Sequence, residues 1–535
     1  MKINISGLKD KSFWQDKGYV LPDFDIEKVR ENTLKAPIWL HFGAGNIFRA
    51  FPAALQQTLL DNGLSDKGII VCESYDEEII EKAYTPYDNL SLVITLKADG
   101  SMDKKIVASI VHAIAAKGNM EELEKIFTSP TFQMVSFTIT EKGYSLIDSS
   151  GNYHKDILED LHTVSQNPKT LMGTIAYLCY KRYQAGKLPI ALVSMDNCSH
   201  NGSKLYSAIK TFADTWVKNG LVDKGFADYI ANPQLVSFPW TMIDKITPRP
   251  SEQVKNMLVE DGLEDVDIIK TTKNTYVSAF VNAEETQYLV IEDVFPNSRP
   301  PLEKAGVIFT DRQTVDKVEK MKVGTCLNPL HTILAVYGCL LGYTSIAEEM
   351  KDKHLKTFIE KTAYEEGLPV VVDPGIIKPE DFIKEVINQR FPNPFVPDTP
   401  QRIACDTSQK IPVRFGETLK AYIASGKRDI STLKYIPLFF AGWLRYLMGI
   451  DDEGNPFTPS PDPMLEKLQS HVKDISLGDQ GPFTDALKPI LSDSSIFGVN
   501  LYEYNLASKV ESMFAELVAG KGAVRQTLEK YLSNK

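Results

Sequence analysis

Over the first 300 residues, apolar positions come in short runs separated by polar, glycine-bearing turns; after that they form long helical stripes. APIWLHFG (36–43) reads as a buried strand, FRAFPAALQQTLLDNG (48–63) as a helix stopped by glycine, and KGIIVCESY (67–75) as a second strand. Short apolar runs between turn residues suit buried strands, and spacings of three and four suit helices. KKIVASIVHAIAA (104–116) is a further β-rich segment, MEELEKIFTSP (120–130) a short helix, and TFQMVSFTITEKGY (131–144) a strand running into a loop. LPIALVSMDNCSHNGSKLYSAIKTFADTW (188–216) repeats the scheme of strand, polar loop and amphipathic helix. Strands alternating with helices predict a doubly wound, largely parallel sheet, with ligands beyond its carboxyl ends. LHTILAVYGCLLGYTSIAEEM (330–350), IPLFFAGWLRYLMG (436–449) and NLASKVESMFAELVAG (505–520) predict a second domain that is mostly α-helical. The PNSRPP stretch (296–301) places the boundary, giving an α/β, Rossmann-type domain over 1–297 and a helical substrate and catalytic domain over 298–535.

Composition narrows the function. The chain has 535 residues, 43% of them hydrophobic and 24% charged, as in an ordinary globular protein of more than one domain. Its net charge of -11, with no basic run, argues against nucleic acid as a partner. Six cysteines at wide spacings (Cys72, Cys179, Cys198, Cys326, Cys339, Cys405) form no CxxC pair, which points to reduced thiols in the cytoplasm and to no metal. No run of 18 apolar residues and no signal-like N-terminus occurs, so no membrane association is expected. The oligomeric state is left open, because the hydrophobic C-terminal helices can close a core or an interface.

Candidate chemistry begins at the turn after the first strand. Gly43 and Gly45, with Ala44, Asn46 and Ile47, match the start of a dinucleotide turn, but Phe48 stands where its third glycine would be. Taken alone, the motif fits a ligand-free strand–turn–helix equally well. Glu73, ending the second strand, offers a carboxylate to the adenosine ribose hydroxyls and would repel a 2′-phosphate, which favours NAD over NADP. MDNCSHNG (195–202) sets Asp196, Asn197, His200 and Asn201 at the carboxyl end of a strand, a place for catalytic groups or for turn and helix caps. Asp244 beside Lys245 suits a catalytic role or an ion pair. In KMKVGTCLNPLHTILA (320–335), Asn328 reads as an N-cap before Pro329, with His331 in the first turn and Lys322 just upstream. A desolvated lysine exchanges protons nearer neutrality. RFPNPFVPDTPQRIACDTSQKIPVRF (390–415) gathers Arg390, Arg402, Lys410 and Arg414, which can bind an anion or pair with the aspartates among them.

In this order, HFGAGNIFRAF, TITEKGY, MDNCSHNG, FPWTMIDKITP, VIEDVFPNSRPPLEKAGVIFTD and NPLH resemble the blocks of the mannitol dehydrogenase family, polyol-specific long-chain dehydrogenases and reductases, over roughly residues 36–450. The resemblance implies NAD as cofactor, a small sugar acid or polyol as substrate, and metal-independent hydride transfer. It assigns Lys322 as general acid/base, Asn197 and Asn328 as donors to the reacting oxygen, His331 as substrate-orienting and Asp244 as supporting the site. Glu319 matches a glutamate tied to proton passage in some members, Arg402 and Lys410 match substrate-side positions, and Cys405 stands where the mannitol 2-dehydrogenase branch has a histidine. The favoured reaction is D-fructuronate to D-mannonate. Mannitol or arabinitol 2-dehydrogenase, tagaturonate reductase and a non-catalytic NAD-binding sensor are the alternatives. One departure stands out: the family spacing is Lys-x4-Asn, whereas VGTCL puts five residues between Lys322 and Asn328. On a regular helix, one extra residue turns the lysine by about 100°.

Overall fold

The computed structural model describes residues 1–426 and 428–533. The chain forms two compact units, Met1–Lys97 with Ser101–Asp316 and Lys317–Lys535 with Ala98–Gly100. The division falls inside a helix, Arg312–Met321. The PNSRPP stretch lies within the first unit, where Arg299 pairs with Asp293 and Glu303 and its guanidinium sits over the Phe309 ring.

The first unit is of Rossmann type. Six parallel strands, β1 (Trp39–Phe42), β2 (Ile69–Glu73), β3 (Ile110–Ala115), β4 (Met134–Phe137), β5 (Ile190–Ser194) and β6 (Val236–Ser237), lie in the order β3-β2-β1-β4-β5-β6. The order reverses at β1, and the crevice beyond the carboxyl ends of β1 and β4 is where such sheets bind ligands. β1, β2, β4 and β5 are buried along their whole length, as sheets covered on both faces require. Alternation then sorts side chains between two cores: Leu40, Phe42, Ile70, Cys72, Val135 and Phe137 on one face, and Trp39, Ile69, Val71 and Met134 on the other. The helix expected at 48–63 is two helices, α1 (Asn46–Ala50) and α2 (Pro52–Asp61), because Pro52 cannot continue the first but is well suited to begin the second. Buried Arg49 on α1 donates to Ser91 Oγ and to the carbonyls of Ser278 and Ala279, tying this helix to a neighbouring four-stranded sheet.

Every helix or strand described within the second unit is helical. Around α3 (Asn328–Leu340) pack helices that include Tyr435–Leu447, which is buried at every position. The helical stretch Arg312–Leu340 is long and apolar enough to cross a membrane, but 78% of its most apolar window is buried inside the protein, as in a core helix. Asn328 is the first residue of α3 and not its N-cap: the chain enters already helical, through a π turn over Lys322–Cys326. Among the described residues three more π turns occur in this unit, at Thr362–Gly367, Val386–Arg390 and Pro412–Gly416.

Candidate active site

In the first unit, the turn between β1 and α1 meets the demands of a dinucleotide. Gly43 has φ +104°, and a Cβ there would stand 2.4 Å from the Thr138 carbonyl oxygen, so only glycine fits. At Gly45 the backbone is extended and a Cβ would point into open space, leaving the main chain accessible to a pyrophosphate. Asn46 and Ile47 follow, half-buried, as the first residues of α1. The turn is held from beneath: Gly43 N–H donates to the Cys72 carbonyl at 3.0 Å, Tyr84 O–H to the Ala44 carbonyl at 2.8 Å, and Ala44 N–H to Glu73 Oε2 at 2.8 Å. The other Glu73 oxygen accepts from the amides of Ser74, Tyr75 and Asp76 at 2.8–3.3 Å. Buried Glu73 thus ties the end of β2 to the turn. Phe48, in place of the third glycine, is buried and stacks on the His41 ring of β1.

At the end of β5 the polar residues divide their work. Asn197 is exposed. Asp196 is buried, which pushes its ionisation up to about 6, and it accepts from the Tyr144 hydroxyl. Asn201 is structural: it donates to Thr241 Oγ1 and the Asp196 carbonyl and accepts from Thr241 N–H. His200 stacks on Trp240 with its Nε2 3.1 Å from Asp316. Asp244 is buried at the end of strand Thr241–Asp244, opposite Tyr288, and the Lys245 ammonium reaches the Glu284 carbonyl at 2.8 Å.

In the second unit, Lys322 is the first residue of the π turn and is 5% exposed. Leu327 N–H closes the turn on the Lys322 carbonyl at 3.1 Å, five residues back, and α3 resumes with His331 N–H on the Leu327 carbonyl. A π turn takes up one residue more than an α turn. The five residues between Lys322 and Asn328 run through this turn and Leu327, so their spacing is not that of a regular helix. Side chains are shaped to it: Thr418 Oγ1 donates to the Gly324 carbonyl at 3.2 Å, and a Cβ on Gly367 would come within 2.7 Å of Thr325 Cγ2.

His331, one turn into α3, is mostly buried, with 13% of its side chain exposed. Burial pushes its ionisation down to about 3, and the nearby charges of Arg414, Arg390, Arg402 and Lys410 act in the same direction. Its Nε2 lies 3.4 Å from Asp398 Oδ2, and its ring is 5.1 Å from Phe391. Asp398, 8% exposed, also takes Arg402. Arg414 donates to Thr332 Oγ1 at 2.5 Å and to the Asn328 carbonyl at 3.4 Å, and burial lowers its ionisation to about 10. Lys410 donates to the carbonyls of Ile403 and Cys405, and burial lowers its ionisation. The structure thus gathers His331, Arg402, Lys410 and Arg414 with a carboxylate, Asp398, that the sequence shows only as one acid in a basic stretch. Thr418 and Gly367 carry no signal in the sequence at all.

The mannitol dehydrogenase Rossmann domain family matches residues 37–304, and the mannitol dehydrogenase C-terminal domain family matches 314–518. A D-mannonate oxidoreductase of Thermotoga maritima is 53% identical over 535 residues, covering 99% of each chain. A mannitol 2-dehydrogenase of Neosartorya fischeri is 30% identical over 92% of each chain. Among solved structures, Pseudomonas fluorescens mannitol 2-dehydrogenase in ternary complex with NAD and D-mannitol matches over 100% of both chains, with TM-score 0.69 and 27% identity. A substrate-free D-sorbitol dehydrogenase matches with TM-score 0.77 and 25% identity, over 96% of this chain and 98% of that one.

Proposed function

The chain belongs to the mannitol dehydrogenase family, and from that premise we propose that it is an NAD-dependent oxidoreductase that interconverts D-fructuronate and D-mannonate. The Gly43–Gly45 turn, held by Glu73, is the expected seat of the cofactor's pyrophosphate; Glu73 keeps its expected place beside the adenosine ribose, although its two oxygens already accept from four backbone amides.

The observation that carries the choice of a sugar acid is the cationic surround of His331. Arg414, Arg390, Arg402 and Lys410 all act on a histidine that burial already keeps neutral, against the single carboxylate of Asp398, which pairs with Arg402. A polyol brings no charge to such a place, whereas a uronate brings a carboxylate, which guanidinium groups bind through paired, charge-assisted hydrogen bonds. The 53% identity to a D-mannonate oxidoreductase supports the same choice.

NAD(H) supplies or accepts the hydride. In the reducing direction the Lys322 ammonium protonates the carbonyl oxygen of the substrate, and Asn328 donates a hydrogen bond to that oxygen as charge develops on it. Asn197 keeps the donor role that the family resemblance gives it, and Asp244 its supporting role. Each lost donor costs on the order of 3 kcal/mol of transition-state stabilisation. Neutral His331 orients the substrate through a ring that can donate or accept without adding charge. The six cysteines are free thiols, which supports a reducing compartment, the cytoplasm.

The test is a panel of D-fructuronate, D-tagaturonate and D-fructose, with mannonate, altronate, mannitol and arabinitol in reverse, each followed by nicotinamide absorbance with NAD(H) and with NADP(H). The expected result is highest kcat/KM for D-fructuronate with NADH. Turnover of neutral sugars alone would make the chain a polyol 2-dehydrogenase, and preference for D-tagaturonate a tagaturonate reductase. Tight NADH binding without turnover of any member would make it a sensor.

A further inference from the structure

Beneath the nucleotide turn, a line of polar side chains crosses a sheet face that is otherwise apolar. Trp39 Nε1 donates to Ser136 Oγ at 2.6 Å, and Ser136 Oγ lies 2.6 Å from His41 Nδ1. His41 Nε2 lies 2.8 Å from Thr138 Oγ1, and Thr138 Oγ1 donates to the Gly43 carbonyl at 3.3 Å. β1 supplies Trp39 and His41, and β4 supplies Ser136, with Thr138 just beyond its end.

The donor inventory sets the direction of this line. An indole N–H only donates, so Ser136 Oγ accepts from Trp39 and sends its own proton to His41 Nδ1. The ring hydrogen then sits on Nε2 and goes to Thr138 Oγ1, whose proton is left for the Gly43 carbonyl. The reverse polarity would strand the Ser136 proton inside a dry sheet, an arrangement that folded proteins avoid. Burial keeps the imidazole neutral, pushing its ionisation down to about 3. Phe48 lies flat against one face of the ring.

The line ends on one half of a peptide group whose other half is also held. Gly43 C=O and Ala44 N–H belong to the same peptide plane, and Ala44 N–H is bound by Glu73 at 2.8 Å. Gly43 has no Cβ and sits at positive φ, so nothing within its own residue keeps this plane from flipping.

The geometry points to His41 as a positioning residue of the nucleotide turn: as the neutral Nε2–H tautomer, it relays hydrogen bonds one way from Trp39 to the Gly43 carbonyl. Together with Glu73, this presents the Gly43–Ala44 peptide to the dinucleotide in one orientation. The relay is a property of the protein alone; its consequence for binding rests on the NAD reading of the turn.

Thr138→Val cuts the last link and Thr138→Ser keeps it. Titrating each variant with NADH should show Kd about tenfold weaker for the valine variant, about 1.4 kcal/mol. The KM for NADH should rise by a like factor and carry the whole loss, with kcat held at saturating NADH, and the serine variant should lie within about twofold of the wild type. Unchanged NADH affinity in Thr138→Val, an equal loss in Thr138→Ser, or a loss confined to kcat would each overturn the proposal. A second readout needs no variant: nitrogen NMR of histidine-labelled wild type should show His41 protonated on Nε2 and bare on Nδ1 from about pH 5 to 9. A proton on Nδ1 overturns the relay. Wild type that fails to bind NADH would overturn the cofactor reading instead, and the tautomer would still decide the relay.

Discussion

Phe48 lies flat on the imidazole of His41, with ring centroids 4.1 Å apart and planes 13° from parallel. A glycine at this position lets a helix press directly onto a strand; here two rings fill the space between α1 and β1. Restoring the three-glycine pattern should therefore harm the protein. Phe48→Gly is expected to lose about 3–5 kcal/mol of stability, the range for emptying a buried aromatic site. Thermal unfolding measures it, and an unchanged melting temperature would contradict the packing role.

Lys322→Ala should abolish turnover while leaving NADH affinity within about twofold, because the proposed proton donor and the proposed cofactor seat are different residues. A variant of normal kcat would refute the assignment.

Deleting Val323 returns the spacing to Lys-x4-Asn but removes the residue that the π turn holds. Thr418 and Gly367 are fitted to the longer turn. The deletion is expected to cut kcat at least about a hundredfold, the penalty that misplacing a catalytic group by about 1 Å carries. Full activity would show that the turn is indifferent to its length.

Arg402 is the most exposed of the cations near His331 and is paired there with Asp398. Arg402→Gln should raise KM for D-fructuronate about tenfold or more, about 1.4 kcal/mol, and leave the weaker KM for a neutral ketose almost unmoved. Equal effects on both substrates would detach the arginine from the carboxylate.

Glu349 is fully buried, and neither carboxyl oxygen has a hydrogen-bond partner. Burial, with the charge of Asp352 adding to it, raises its ionisation well above the usual carboxylate range. Since the folded state holds the proton more tightly, its stabilising contribution is full below the unfolded value near pH 4.5 and is lost as pH rises toward the folded one. Glu349→Gln should remove a slope of up to about 1.4 kcal/mol per pH unit from stability over that window. Denaturant melts of both proteins from acid to neutral pH test this; parallel curves would mean that the carboxyl is not held neutral.

The period of the apolar residues was enough to read the strand-helix alternation, and with it the Rossmann-type sheet and the helical second unit. Local periodicity does not say what a side chain will meet. Glu73 is visible as an acid ending a strand, but its grip on Ala44 depends on how the turn folds back across β2. Asp398 is visible among basic residues, yet its contact with His331 joins segments nearly 70 residues apart. PNSRPP reads as a boundary by its prolines, which mark linkers and rigid turns alike; Arg299 within it pairs with Asp293 and Glu303, a contact that composition does not announce. Asn328 looked like a helix cap because a π turn leaves no mark in an apolar stripe: its one additional residue is hidden among small and apolar neighbours, Gly324, Thr325 and Cys326.

Among its described residues the second unit has four such turns, each taking up one residue more than an α turn; one runs straight into the helix Glu417–Ser425 and one reaches α3 after Leu327. Distance counted along the sequence and angle counted around the helix axis therefore part company four times between Lys322 and Gly416. A motif written as a number of intervening residues is a ruler laid on an elastic object; for this half of the protein the quantity to compare from one chain to another is the azimuth of a side chain, and the longer spacing between Lys322 and Asn328 is compatible with the role proposed for the lysine.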